Sequence, residues 1–326
     1  MENHKTIEKH IIEKEAFQEK DPRVLITSGE SLTPYFVNAE KLCGDAHISQ
    51  FLKENENNGK AIIEHSIMLM QKNKDFREDI EIIAVKVKEL LQKGTKEDKR
   101  AELAVSGGMR RDLIFSGPIA KILDLPHIIL YKQDISQPTF QDRVEVYWPN
   151  SRGLETKKPE ETLPFYTVHI SDLLTKGSSQ YSKSPKTGRA LGWVPMLRTR
   201  GATINDLVVV VSRLQGGEEK LNQLREPITT HSFVEINEEF LRTHSKNPEA
   251  AINYSKDETE STKEYLKKTG IGLLVPYFRQ KGKSLTRAKR FLIKYKTFLE
   301  ETGLMKSLEE SVEKTYNMTL NEIIGE

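Results

Sequence analysis

The stretch that runs Phe-Tyr-Thr-Val-His-Ile-Ser-Asp-Leu-Leu-Thr-Lys-Gly-Ser-Ser, from Phe165 to Ser179, is where residue types and spacing first suggest chemistry. Val168, Ile170 and the flanking aromatics make a β-prone run, an acid stands at its end as Asp172, and a small-residue turn follows through Thr175, Lys176, Gly177, Ser178 and Ser179. A phosphate monoester is held by several backbone N–H groups aimed at one point, and a Gly- and Ser-containing turn supplies them without side chains in the way. Asp172 stands about one sugar away from such a phosphate, in reach of sugar hydroxyls or of a divalent cation bound to them. An ordinary strand with a solvated turn has the same local pattern. A second unit of this kind begins at Glu102 and passes through Gly107, Gly108, Met109, Arg110, Arg111 and Asp112 into an apolar helix from Leu113 to Leu123. Glycines let a backbone approach a ligand, and arginines meet phosphate oxygens as a planar fork. Two solvated arginines after a Gly-Gly turn fit that segment equally.

With Leu173 and Leu174 included, the order acid, two aliphatics, Thr, any residue, Gly, small, Ser resembles the PRPP-binding signature of the type I phosphoribosyltransferases. That family usually carries two adjacent acids, whereas Ser171 precedes Asp172 here. The segment Thr33-Pro34-Tyr35-Phe36-Val37-Asn38-Ala39 is similar to the N-terminal hairpin of the orotate branch, with Thr27 and Glu30 where a lysine and a base are expected. Ser212-Arg213-Leu214-Gln215-Gly216-Gly217 resembles an Asp-Arg-x-x-x-Gly segment of the same branch, with serine in place of the aspartate.

The resemblance implies a set of roles. Asp172 would be the catalytic acid that serves the ring hydroxyls and, through PRPP, Mg²⁺. Lys132, closing the strand-like run from Leu125, would be a second catalytic group at the pyrophosphate. Thr175, Lys176, Gly177, Ser178 and Ser179 would cradle the 5-phosphate, and Gly107, Gly108, Arg110 and Arg111 the pyrophosphate. Arg213, Tyr35 and Phe36 would hold the base. The implied reaction is Mg²⁺-dependent transfer of ribose 5-phosphate from PRPP to a nucleobase, orotate being the first candidate, with release of pyrophosphate by a homodimer. Ser171, Glu30 and the lack of the family's Gly-Glu-Gly loop pattern between Gln133 and Pro164 support an alternative, a non-catalytic PRPP- or nucleotide-binding relative with a regulatory role.

These residues need a frame to position them. Three strand–loop–helix units, from Ala104, Tyr166 and Leu207, predict an α/β fold with a mostly parallel sheet, helices on both faces and ligands at the carboxyl ends of the strands. Helical additions surround it. Met1 to Lys20 reads as an amphipathic helix; Ile62, Ile63, Ile67 and Met70, then Ile80, Ile83, Val87, Leu90 and Leu91, trace two more helices, the second ending at Gly94. The stripe Leu285, Ala288, Leu292, Tyr295 and Leu299 marks a C-terminal helix. The expected division is an N-terminal helix over 1–22, a phosphoribosyltransferase-like core over 23–227 with a helical segment at 47–99, and a helical region over 228–326.

Composition narrows the partners. Fifty basic against 48 acidic residues give a net charge of +2, so no global field points to nucleic acid or membrane. The segment from Arg279 to Lys296 carries eight basic residues and no acid, and reads as a solvated face over an apolar seam. The single cysteine, Cys43, forms no internal disulfide, the first twenty residues lack the apolar core of a signal peptide, and no apolar run approaches a membrane span, which makes the cytoplasm the expected location.

Overall fold

The computed structural model describes residues 2–25, 31–97, 102–131, 143–150, 153–157, 161–184, 187–279 and 282–325. The chain divides into two compact units, Met1–Phe17 with Val37–Asn237, and Gln18–Phe36 with Glu238–Glu326. In chain order the elements are α1 (Glu2–Glu13), β1 (Phe17–Leu25), β2 (Leu32–Val37), α2 (Ile48–Glu54), α3 (Gly59–Lys72), α4 (Lys74–Glu97), β3 (Glu102–Gly108), α5 (Asp112–Leu123), β4 (His127–Leu130), β5 (Val144–Trp148), β6 (Gly153–Lys157), β7 (Phe165–Leu174), β8 (Ser182–Lys183), β9 (Ala190–Leu191), α6 (Trp193–Thr199), β10 (Thr203–Ser212), α7 (Gly217–Asn222) and β11 (Thr229–Glu235). Seven helices follow: α8 (Glu238–His244), α9 (Pro248–Lys256), α10 (Glu258–Thr269), α11 (Val275–Arg279), α12 (Lys283–Glu301), α13 (Leu304–Tyr316) and α14 (Leu320–Ile324).

The first unit is built on a seven-stranded sheet in the order β11-β10-β7-β3-β4-β5-β6. The five strands from β11 to β4 run parallel, and β5 and β6 continue antiparallel. Val208, Val209, Val210 and Val211 are fully buried, as a central strand covered on both faces requires. Two adjacent glycines show the two covers. A Cβ on Gly107 would lie 2.2 Å from Ser116 Oγ of α5, and one on the next residue, Gly108, 2.3 Å from the Trp193 ring of α6. Successive side chains on a strand point to opposite faces, so α5 and α6 lie on opposite sides of the sheet. The expected α/β class, mostly parallel with helices on both faces, is the fold observed. The carboxyl ends of β7 and β10 are level, Leu174 pairing with Ser212, and β3 ends beside the carboxyl-terminal half of β7, with Gly107 opposite Ile170.

Three expectations need correction. The N-terminal helix stops at Glu13 and the chain is already extended at Phe17, so Ile7 and Ile11 are its buried face and Phe17 belongs to a strand. Buried His10 in that helix meets buried Asp79 of α4 at 2.8 Å. Burial outweighs this bond and pushes the Asp79 carboxyl up to about 7. Helix α4 does not end at Gly94 but runs through it to Glu97, and a Cβ there would overlap the Tyr166 ring at 2.1 Å. Glycine in this helix is a packing residue. Lastly, β11 extends the sheet beyond residue 228, where only helices were expected. Its polar, half-exposed start, Thr-Thr-His-Ser, hides the alternation that marks an ordinary strand.

The second unit combines β1 and β2 with α8 to α14. Leu25 and Leu32 share one core with Leu266, Phe278, Ala288, Phe291, Leu292, Tyr295, Leu299, Leu308 and Val312. The predicted α12 stripe thus faces that core, with Leu285 partly buried against it. Arg290, Lys294 and Lys296 stand exposed on its outer side. Among the described residues no helix is long and apolar enough to cross a membrane.

Candidate functional site

Asp172 lies at the carboxyl end of β7, three residues before the turn, and is 9% exposed. The turn itself is small and tightly braced. Gly177 has φ +65, in the left-handed region that glycine enters without strain, and its Cα faces Gly217 across a gap where a Cβ would meet backbone at 3.3 Å. From the other side, a Cβ on Gly217 would lie 2.4 Å from the Thr175 carbonyl oxygen. Lys220 Nζ adds a hydrogen bond to the Lys176 carbonyl at 3.4 Å, and Tyr181 N–H donates to Gly177 O at 2.9 Å. Gln180, almost fully buried, reaches back from the far side of the turn and donates to Ser171 Oγ at 2.9 Å.

Among the described residues, the backbone N–H groups of Thr175, Gly177, Ser178 and Ser179 donate to no protein acceptor, while the turn's carbonyls at Gly177 and Ser179 are used in holding Tyr181 and Trp193. The Ser178 and Ser179 positions are exposed and Gly177 is buried against Gly217. Converging donors on a glycine-containing turn form an anion-binding concavity.

An acid that the motif reading did not assign stands next to Asp172. Asp112, at the start of α5, accepts from Asp172 N–H at 2.9 Å and from Ser171 Oγ at 3.3 Å through Oδ1, and from Gly108 N–H at 3.2 Å through Oδ2. The two carboxyl side chains also bond to one another. Burial and the charge of Asp172 push Asp112 well above the usual carboxylate range. Asp172 is also raised by burial, against the opposing pull of the Arg111 cation and of the bond from Asp112. Two carboxyls this close do not ionise independently, so the pair holds on to a proton that two separate carboxylates would have lost. The signal available in the sequence was an acid opening the helix after a Gly-Gly strand end. It stands sixty positions from Asp172 and is adjacent to it only through the β3–β7 pairing.

Around the pair lies a buried polar chain. Ser106 Oγ and His169 Nδ1 are 3.1 Å apart, His169 Nε2 is 3.8 Å from Asp112 Oδ2, and His127 Nε2 lies 2.8 Å from Ser116 Oγ. Burial lowers both imidazoles to about 3, leaving them neutral. His127 is a fully buried core residue.

The remaining predicted site residues fall into three groups. Gly107 and Gly108 sit inside β3, packed against Ser116 and Trp193, and the Gly108 amide is taken by Asp112. Arg110 and Arg111 form the loop that follows, in which the Met109–Arg110 peptide is cis. Arg111, half exposed, pairs with the buried carboxylate of Glu40, while Arg110 stands 3.7 Å from Glu56. Arg213 follows β10 directly, is 6% exposed, and ties to the turn's strand through its N–H to Leu174 O at 2.9 Å. Tyr35 and Phe36 belong to the second unit. There Tyr35 is fully buried edge-on to Tyr254 with ring centroids 5.9 Å apart, and Phe36 lies under Lys20. Lys132, Thr27, Glu30 and, between Gln133 and Pro164, residues 133–142, 151–152 and 158–160 lie outside the described residues. Brought together at one edge of the first unit are thus Asp112, Asp172, Arg111, the turn from Thr175 to Ser179, and Arg213.

A mostly parallel α/β sheet with a buried acid pair and a small glycine-containing turn at its carboxyl edge is the class of protein that these observations define. No family model and no curated protein matches the chain. Solved structures that overlap it include orotate phosphoribosyltransferase from Aeropyrum pernix, at 15% identity and a TM-score of 0.40, covering 73% of this chain and 97% of that one. Leishmania donovani UMP synthase overlaps at 13% identity and a TM-score of 0.40, and adenine phosphoribosyltransferase from Trypanosoma brucei, in complex with AMP, pyrophosphate and ribose-5-phosphate, at 11% and 0.39. The chain covers 80% of its own length but 42% of the UMP synthase chain in the first of these, and 72% and 80% in the second.

Proposed function

We propose that the protein is a phosphoribosyltransferase that transfers ribose 5-phosphate from PRPP to a nucleobase nitrogen, orotate being the first base to try, and releases pyrophosphate. The observation that carries this reading is the turn after β7, whose amides at Thr175, Gly177, Ser178 and Ser179 have no acceptor among the described residues and which follows directly on a buried acid. In this reading the turn holds the 5-phosphate. Asp172, kept as the charged member of its pair, accepts from the ribose hydroxyls and stabilises the cation-like sugar of the transition state. Asp112 holds the proton that prevents a second buried charge, and its bonds to the Asp172 and Gly108 amides fix the geometry. Arg110 and Arg111 meet the leaving pyrophosphate, and Arg213 offers a bidentate donor to an acidic base.

The donor set suits Mg²⁺ carried in on the substrate. No group of three His, Cys, Asp or Glu residues that could hold a metal occurs among the described residues, whereas an acid pair facing sugar and phosphate oxygens fits a cation that keeps most of its ligands from substrate and water. Mg²⁺ bound in this way would neutralise charge developing on the pyrophosphate.

Incubation with PRPP, Mg²⁺ and orotate, followed by orotate absorbance, tests the proposal, with a panel of other bases in parallel. Turnover that falls at least a hundredfold in Asp172→Asn is the expected result. Mg²⁺-dependent thermal stabilisation by PRPP without turnover on any base would replace the transferase with a binding protein, the alternative that Ser171 favours. Absence of any PRPP effect on the parent protein would remove both.

A further inference from the structure

The second unit carries a polar cleft that the proposed transfer reaction does not use. It is lined from β1, β2, α9, α10 and the turn before α9, with a volume of about 740 Å³, enough for one molecule of nucleotide size. Four basic side chains line it, Lys20, Arg23, Lys246 and Lys268, against three acidic ones. One of those acids is already engaged. Glu19 accepts from the Ser245 hydroxyl and from the backbone N–H groups of Lys246, at 2.8 Å, and Asn247, at 3.3 Å. Burial raises its carboxyl, but these bonds outweigh that and hold it below the usual range.

Arg23 is the group that gives the cleft a chemistry. Its side chain belongs to a residue only 8% exposed, and its guanidinium lies 4.6 Å over the Tyr265 ring. Nη1 donates to the Ser261 carbonyl at 2.9 Å and to Ser261 Oγ at 3.0 Å. Nε and Nη2 donate to no acceptor, and no carboxylate lies within ion-pair distance, among the described residues. Burial pulls the guanidinium down from its ordinary value, and the Glu264 charge offsets part of that. A buried cation without a counter-ion is costly, and a stacked guanidinium with one edge free has the geometry that phosphate oxygens match in pairs. We propose that this cleft is a binding site for a phosphorylated small molecule of nucleotide size, with Arg23 on the phosphate and Lys20, Lys246 and Lys268 as the cationic rim. The site is independent of the transferase reading, since none of its residues belongs to the β7 turn or its acid pair.

Hydrogen exchange and calorimetry on the full chain test this with UMP and inorganic phosphate as probes. UMP is expected to slow exchange across residues 246–265, and inorganic phosphate to do so more weakly. Arg23→Gln should weaken that binding at least tenfold. Because Arg23 is buried and its loss can disturb the unit, the exposed double variant Lys246→Glu/Lys268→Glu is the second arm, with a similar loss and an unchanged unfolding temperature. Asp172→Asn should leave the event as in the parent, which separates this site from the one after β7. Lack of protection by either probe at millimolar concentration, or parental UMP affinity in the double variant, overturns the proposal.

Discussion

Asp112 and Asp172 show how a single proton can be structural. The pair is buried, and Asp112 is the acceptor for two backbone amides and a hydroxyl. Leaving such buried donors without a partner costs about 1–3 kcal/mol each. Asp112→Ala should therefore lower stability by roughly 2–4 kcal/mol, whereas Asp112→Asn, which keeps one acceptor oxygen and removes the shared proton, should lower it by less. Asp112→Asn still loses one of its two accepting oxygens, so its cost falls between those of the parent and Asp112→Ala. The two variants also differ from the parent in pH dependence. Both carboxyls are raised in the folded state, so above about pH 4 the folded protein keeps protons that the unfolded chain has lost. The pair's contribution is complete below that point and is lost as pH rises through the folded values. Asp112→Asn should flatten this decline. Thermal unfolding of the three proteins from pH 4 to 9 measures it; a slope in Asp112→Asn equal to that of the parent would place the shared proton elsewhere. The motif itself was legible around Asp172, because acid, aliphatics and small turn are contiguous. Asp112 was not, because its partner is reached only across strand pairing.

At the scale of elements, the turn after β7 keeps its shape through a neighbour. Gly217, at the start of α7, presses on Thr175 and Gly177, and neither glycine has room for a methyl group. In Gly217→Ala the new Cβ would sit 2.4 Å from a backbone oxygen, so the turn itself must move. The expected result is a loss of PRPP-dependent stabilisation of tenfold or more in affinity, with far-UV circular dichroism unchanged because the sheet does not depend on that contact. Retained affinity would show that the amides of the turn do not bind the phosphate. Glycines are also where reading the elements from sequence was least secure. Gly107, Gly108 and Gly94 have the look of a ligand loop and a helix cap, yet they are occupied by Ser116, Trp193 and Tyr166. A glycine that admits a ligand and one that admits a side chain are the same letter; the apolar runs of β7 and β10 carried no such ambiguity.

For the whole chain, the parallel sheet was legible from its three repeated strand–loop–helix units, but the division into units was not. The strands β1 and β2 precede the sheet in sequence and belong with the C-terminal helices, and β11 follows the last recognisable motif and belongs with the sheet. Sequence proximity misleads in both cases because neither segment carries a periodic apolar pattern long enough to declare its partner. The structure shows what the N-terminal pair requires. Leu25 and Leu32 enter the core formed by Leu266, Phe278 and Phe291; Ser31 Oγ meets Tyr254 Oη at 2.9 Å, and Leu32 N–H donates to Thr262 Oγ1 at 3.2 Å. A chain ended at Asn237 keeps β1 and β2 while losing every one of these partners, and an unpartnered two-stranded ribbon with its core residues uncovered is unstable and prone to self-association. Such a truncation should aggregate on size-exclusion chromatography. Replacing residues 18–36 of the same truncated chain with a Gly/Ser linker should restore a monodisperse species with the circular dichroism of the α/β sheet. Were the simple truncation monodisperse and as heat-stable as the parent, the assignment of the N-terminal strands to the helical unit would be wrong.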